Sequence, residues 1–254
     1  MSDILNKLTK KITENQILPA DQMTAGFDEM MEGKASPVQM AAFLIALKMR
    51  GEAPSDIAAG AGSLRRHALT LDAPDNAMDI VGTGGDGIGT YNISTATALV
   101  LAGAGIPIAK HGNKAVSSKS GAADVLTALG INLDCSEKAL SEALTAAKIV
   151  FLMAPRHHSA MRHVGPSRAE LGVRTIFNLL GPLSNPALVR RILVGVFDAR
   201  WLQPFAEALR SLGTTDAFIV HGADGLDELS TTGSNQITVL KDGQISKTSL
   251  HPSD

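Results

Sequence analysis

The chain has 254 residues, of which 44% are hydrophobic and 19% charged, with a formal net charge of -2. This composition excludes extended disorder and suits one large α/β unit or a main domain with a smaller partner; the near-neutral charge gives no reason to expect nucleic acid or a membrane as partner. A single cysteine, Cys135, excludes an intramolecular disulfide and a cysteine zinc site and points to a reducing cytoplasm, and no signal peptide or membrane-length apolar run is visible.

Up to about Leu71 the sequence reads as helices only. Ile4, Leu5, Leu8 and Ile12 form one helical stripe, followed by helical runs at Asp21 to Met31, Pro37 to Arg50 and Ser55 to His67. Ser36 before Pro37 is a helix start, and Gly51 is a stop. After Pro74 the pattern changes. Apolar, β-rich runs at 77–81, 106–110, 149–153, 192–197 and 217–221 alternate with helical segments at 93–104, 122–129, 137–148 and 201–212. Strands alternating with helices predict a mainly parallel sheet flanked by helices. Asn235 to Leu240 and Gln244 to Leu250, around Lys241-Asp242-Gly243, read as a hairpin. The fold expected is a small all-helical domain over 1–71, which a later helical segment could join, and a larger α/β domain over 72–254. Since no helix follows the hairpin to cover the last strand, the α/β domain is expected to be C-terminally incomplete.

The most informative stretch joins the first strand to the next helix: Gly82-Thr83-Gly84-Gly85-Asp86-Gly87-Ile88-Gly89-Thr90-Tyr91-Asn92-Ile93-Ser94-Thr95. Five glycines in eight residues allow backbone N–H groups to close around a large anion, and Asn92, Ser94 and Thr95 at a helix start add side-chain donors and the helix dipole. A phosphate is the expected ligand. Asp86 is poorly placed beside a bare phosphate, which suggests a metal ion or ammonium nearby. Gly82, Gly84 and Gly87 satisfy G-x-G-x-x-G, yet the acid that a dinucleotide ribose requires about 20 residues later is replaced by Lys110-His111-Gly112-Asn113-Lys114. A Walker loop fails for want of Gly-Lys-Ser/Thr. A glycine turn without ligand is the plain alternative.

Lys110 to Asp124 carries three lysines, three serines and an asparagine after one strand, a dense set of phosphate donors at a sheet edge; a solvated loop is the competing reading. His111 lies inside this basic segment and is a candidate for the site edge. His157 and His158 lack an acid at zinc-site spacing and read as packing or capping residues. Leu179, Leu180 and Leu183 read as core and turn.

With 162–186 (Arg162 to Arg168, then Leu171 to Pro186) and His221 to Glu228, these segments closely resemble the anthranilate phosphoribosyltransferase family over nearly the whole chain. The resemblance implies a homodimer with a helical dimerisation domain, a substrate tunnel at the domain junction, Mg²⁺ dependence, and phosphoribosyl transfer from 5-phosphoribosyl 1-pyrophosphate to anthranilate. It implies that the diphosphate and ribose phosphate are held by Gly82, Gly85, Asp86 and Thr90, by Asn92, Ile93, Ser94 and Thr95, and by Lys110, His111, Gly112, Asn113, Lys114, Ala115, Val116, Ser117 and Ser118. Ala122 stands where many relatives have serine, so that contact falls to backbone or water. Anthranilate is implied to touch Gly82, Asn113 and Arg168, and Mg²⁺ to be bound by Ser94, Asp227 and Glu228. Relatives also continue beyond the position of Asp254.

The chemistry of these residues suits the roles. Adjacent carboxylates suit Mg²⁺, a hard cation that bridges substrate phosphates. A guanidinium makes the planar, bidentate contact a carboxylate needs, although Arg162 and Arg174 compete with Arg168 for it. Catalysis by positioning and charge stabilisation, with no indispensable acid or base, is the expectation. Competing functions are a pyrimidine nucleoside phosphorylase and a non-catalytic relative binding phosphate ligands or nucleic acid.

Overall fold

A computed structural model describes residues 2–85, 87–113 and 121–254. Four helices come first, α1 (Asp3–Thr13), α2 (Ala20–Met31), α3 (Pro37–Arg50) and α4 (Pro54–Arg66). There follow β1 (Met78–Gly82), α5 (Ile93–Gly103), β2 (Ile108–Gly112), α6 (Ala122–Ala128), α7 (Glu137–Ala147) and β3 (Ile149–Met153). Three short helices come next: α8 (Ala154–His157), α9 (Gly165–Leu171) and α10 (Phe177–Leu180). The last elements are β4 (Arg191–Gly195), α11 (Leu202–Ser211), β5 (Asp216–His221), β6 (Asn235–Lys241) and β7 (Gln244–Leu250). The chain divides into two compact units, Met1–Leu69 with His158–Ser184, and Thr70–His157 with Asn185–Asp254.

The first unit is helical because its apolar residues recur at helical spacing and its helix starts are capped. Leu5, Leu8 and Ile12 of α1 are buried, as the stripe predicts, whereas Ile4 faces outward. Ser36 Oγ accepts from the Gln39 N–H at 3.3 Å and Gln39 Oε1 accepts from the Ser36 N–H at 3.0 Å, a reciprocal cap that satisfies two otherwise orphaned donors at the start of α3. Phe27 lies at the centre of this core, edge-on to Phe43 at 5.9 Å and to Phe177 at 6.1 Å. At the α3–α4 corner the buried Arg50 guanidinium pairs with Asp56, which also accepts from the Ala53 N–H.

In the second unit seven strands form one sheet in the order β3-β2-β1-β4-β5-β6-β7. The pairs from β3 to β5 are parallel, and β5-β6 and β6-β7 are antiparallel. Alternating side chains give the sheet two packed faces. On one, α5 presents Ala98 and Ala102 to Ile80 and Ile108; on the other, α7 presents Leu140 and Leu144 to Ala77, Ala109, Val150 and Leu152. The β6–β7 hairpin turns through Asp242 and Gly243, with φ of 49° and 78°. Two consecutive positive φ values match the right-handed twist of a two-residue hairpin. The strand order reverses between β1 and β4, and in such sheets ligands bind beyond the carboxyl ends at that point. No helix among the described residues is long and apolar enough to cross a membrane.

Ser36→Ala removes one arm of the α3 cap and should lower stability by about 1 kcal/mol. Urea unfolding should show a lower midpoint with an unchanged slope; an unchanged midpoint would mean that the cap contributes nothing.

Candidate active site at the carboxyl ends of the strands

Glycine shapes the site in two distinct ways. Gly82, Gly195 and Gly222, at the ends of β1, β4 and β5, are glycine for space. A Cβ at Gly82 would lie 2.5 Å from Asp227 Oδ2, one at Gly195 would lie 1.5 Å from the Asp227 carbonyl oxygen, and one at Gly222 would lie 2.2 Å from the Glu228 carbonyl oxygen. The acidic segment therefore lies directly on the strand ends. Gly84, Gly85, Gly87 and Gly89 are glycine for conformation, with φ of 68°, 75°, 77° and 73°. Side chains disfavour such values, and glycine adopts them freely. The Gly84 N–H donates to Asp227 Oδ2 at 2.6 Å, joining the two segments. Thr83 ties the glycine loop to β4: its N–H donates to the Gly195 carbonyl and its Oγ1 accepts from the Phe197 N–H.

Beneath this surface is a buried charged network. Lys110, on β2, is only 2% exposed; its Nζ donates to the Ile80 carbonyl at 2.5 Å and to Ser94 Oγ at 3.2 Å. Burial lowers its pKa, and the negative charges of Asp79 and Glu228 oppose that shift. Asp79, on β1, has no exposed surface. Its carboxylate accepts from the Ile80 and His111 N–H groups and from Asn185 Nδ2, and that same amide nitrogen donates to the Ala109 carbonyl at 2.7 Å. Burial pushes the Asp79 carboxyl up to about 6, against the opposing pull of Lys110 and these hydrogen bonds. Asn235, also buried, braces the far end of the acidic segment, accepting from the Ser230 N–H and donating to the Ser230 carbonyl.

At the start of α5, Asn92 makes no side-chain cap. The buried Asn92 Nδ2 and Thr95 Oγ1 atoms have no hydrogen-bond partner among the described residues. Buried polar atoms left unmatched cost about 1–3 kcal/mol each, so donors in this position are suited to an anionic ligand. Ser94, Asp227 and Glu228 offer oxygen ligands around the same strand ends. No group of three or more His, Cys, Asp or Glu forms a ready metal cage among the described residues. Two carboxylates and a hydroxyl fit Mg²⁺, which usually completes its shell with water and substrate phosphate.

Gly82, Gly85, Ser94, Thr95, Lys110, Asp227 and Glu228 thus belong to one end of one sheet, and Asn92 and Ile93 open the helix beside them. Thr90 is exposed on the approach to α5. Gly112 and Asn113 lead from β2 toward α6: a Cβ at Gly112 would meet the Phe151 ring at 2.8 Å, and the Asn113 carbonyl accepts from the Ala123 N–H. Ala122 is the first residue of α6. Asp86, Lys114, Ala115, Val116, Ser117 and Ser118 lie outside the described residues. The placement of His111 differs from expectation. It lies on β2 with only 4% of its surface exposed, rather than in a basic loop, because β2 continues two residues past Lys110. His157 and His158 are both buried.

Arg168 belongs to the first unit, on α9. Its guanidinium carbon lies 5.3 Å from the centre of the Phe177 ring, and partial burial lowers its pKa. Arg162 and Arg174, its competitors in the sequence, are exposed. Asp79, Asn185, Gly195 and Gly222 were not singled out as site residues. For Asp79 a signal was present: a carboxylate in the middle of an apolar central strand is rarely buried without a structured set of partners.

A parallel α/β sheet with carboxylates and N–H donors gathered at its switch point, together with a helical bundle, places the chain in the class of glycosyl transferases. The helical bundle domain of the glycosyl transferase family matches residues 3–68, and the a/b domain of that family matches residues 74–254. An anthranilate phosphoribosyltransferase of Parvibaculum lavamentivorans is 54% identical over 244 residues, covering 96% of this chain and 72% of that protein. The crystal structure of anthranilate phosphoribosyltransferase from Thermus thermophilus superimposes with a TM-score of 0.90 at 45% identity, over 96% of this chain and 73% of that one. The Saccharomyces cerevisiae enzyme, in complex with PRPP and Mg, gives a TM-score of 0.89 at 30% identity, over 100% of this chain and 74% of that one. The chain belongs to this glycosyl transferase family and, within it, to the anthranilate phosphoribosyltransferases. It spans about three quarters of the length of these relatives.

The Asp79 carboxyl gives a pH signature. Its folded pKa, about 6, exceeds its ordinary value of 3.8, so the folded state holds a proton that the unfolded state releases between these values. Stability therefore falls as pH rises through that window, by about 3 kcal/mol at most, and is level above it. Urea titrations of the parent and Asp79→Asn from pH 4 to 7 should show the parent losing stability relative to the variant across this range. A relative gain would contradict the assignment.

Proposed function

We propose that the chain transfers the phosphoribosyl group of 5-phosphoribosyl 1-pyrophosphate to the amine of anthranilate, giving N-(5-phosphoribosyl)anthranilate and diphosphate, as a cytoplasmic homodimer in tryptophan biosynthesis. The observation that carries this reading is the convergence of the glycine loop, the buried Lys110 ammonium, Ser94 and the Asp227–Glu228 pair at one sheet end. Such a set serves a ligand with several adjacent negative charges.

The reaction breaks the bond from the ribose anomeric carbon to the diphosphate oxygen and forms one from that carbon to the anthranilate nitrogen, which then releases a proton. Negative charge builds on the departing diphosphate while the ring becomes cation-like. The residues of the loop and of α5 are assigned to bind and orient the diphosphate and ribose phosphate: Gly82, Gly85, Asp86, Thr90, Asn92, Ile93, Ser94 and Thr95. The stretch from Lys110 to Ser118 is assigned to the same ligand, with the start of α6 at Ala122. Lys110, fixed between the Ile80 carbonyl and Ser94, holds positive charge beside the site without a reorganisation cost during reaction. Bound Mg²⁺, held by Asp227, Glu228 and Ser94, would supply further neutralisation of the leaving group. Gly82 and Asn113 are assigned to border the acceptor, and Arg168 to take its carboxylate. The neutral aromatic amine is already nucleophilic, so no side chain is required as a strong base.

Anthranilate fluorescence gives the test. Its loss should require both phosphoribosyl pyrophosphate and Mg²⁺ and should stop on addition of EDTA. A folded protein that leaves the signal unchanged would contradict the function. Arg168→Ala should raise the KM for anthranilate about tenfold or more with a smaller effect on kcat, since a lost charge-assisted hydrogen bond costs about 1.5–3 kcal/mol. An unchanged KM would contradict the carboxylate assignment.

A further inference from the structure

Arg168 is held in an unusual way for a partly buried guanidinium. No carboxylate and no hydrogen-bond acceptor among the described residues meets it; its recorded contact is the Phe177 ring, 5.3 Å below the guanidinium carbon. Phe177 is itself 4% exposed and stands edge-on to Phe27, which stands edge-on to Phe43. Phe27 and Phe43 are wholly buried. The guanidinium thus rests on a ring that is fixed by the centre of the helical bundle. Aromatic rings in such a stack have little freedom to tilt, and the ring face attracts a cation without using any of its N–H donors. None of its five donors is engaged by the described residues, which leaves them for a ligand. A salt bridge would hold the side chain too, but it would occupy the fork and neutralise its charge.

We propose that Phe177, backed by Phe27 and Phe43, is a positioning residue for the acceptor: it holds the Arg168 guanidinium in place with its donors free for a planar carboxylate. This inference rests on the assignment of Arg168 to the anthranilate carboxylate. Phe177 touches no substrate; it acts through Arg168 alone. Its effect should therefore be confined to the acceptor and should vanish when Arg168 is absent.

The test is a double-mutant cycle read by anthranilate KM and kcat in the fluorescence assay. Phe177→Leu and Phe177→Met keep an apolar side chain in the core but remove the ring face. Each should raise the KM for anthranilate about three- to tenfold, leaving kcat and the KM for phosphoribosyl pyrophosphate within about twofold. Phe177→Tyr retains the ring and should restore the lower anthranilate KM. In the Arg168→Ala background, Phe177→Met should add no further change. An unchanged anthranilate KM in both the Leu and Met variants, when Arg168→Ala raises it, overturns the inference and leaves the Arg168 assignment standing. Effects of Phe177→Met that multiply with those of Arg168→Ala also overturn it, because they mark a general packing defect. An Arg168→Ala variant with the parent's anthranilate KM, or a folded parent that does not consume anthranilate, overturns the assignment and the inference together.

Discussion

The acidic segment carrying Asp227 and Glu228 lies so close to the carboxyl ends of β1, β4 and β5 that Gly82, Gly195 and Gly222 have no room for a Cβ. None of these three glycines has a positive φ, so their backbones would accept alanine; space alone excludes it. The rest of the site depends on this closeness. It brings the Asp227 carboxylate to the Gly84 N–H and Glu228 into the field of Lys110. With bulkier strand ends the carboxylates would stand off from the sheet, and the acidic segment and the N–H groups of the glycine loop would no longer share one surface.

Below that surface the structure concentrates charge where water cannot screen it. Lys110 and Asp79 point to opposite faces of the sheet, because Lys110 is level with Ile80, the residue after Asp79 on β1, and each is satisfied mainly by neutral partners: a carbonyl and a hydroxyl for the ammonium, backbone N–H groups and an amide for the carboxylate. Single buried charges of this kind are costly unless hydrogen-bonded, and when satisfied they fix the geometry around them. Here they fix the ends of β1 and β2. Arg168 is held differently, against a ring face, with no hydrogen-bond acceptor among the described residues.

Much of this was legible in the sequence because it depends on local pattern. The helical spacing of Leu5, Leu8 and Ile12, the Ser36-Pro37 start and the Asp242-Gly243 turn each specify backbone through neighbours only a few residues apart. The glycine loop was legible for the same reason: only glycine tolerates four positive φ values in so short a span. What escaped depends on contacts between distant segments. Asn185 meets Asp79 across 106 positions, and Gly195 is constrained by a carbonyl on the far side of β5. No local spacing encodes either contact. His111 was misplaced for a related reason. A strand end followed by polar residues looks like a loop, but pairing with β3 extends β2 through Gly112.

The central claim, that bare strand ends place the acidic segment against the glycine loop to form one diphosphate site, is tested most directly at Gly195. Isothermal titration of phosphoribosyl pyrophosphate in the presence of Mg²⁺ should show Gly195→Ala binding at least about tenfold more weakly than the parent, since its Cβ would displace the Asp227 backbone. Gly103→Ala, where a Cβ meets nothing within 4 Å, should bind as the parent does. Parent-like, Mg²⁺-dependent affinity in a folded Gly195→Ala protein would contradict the account.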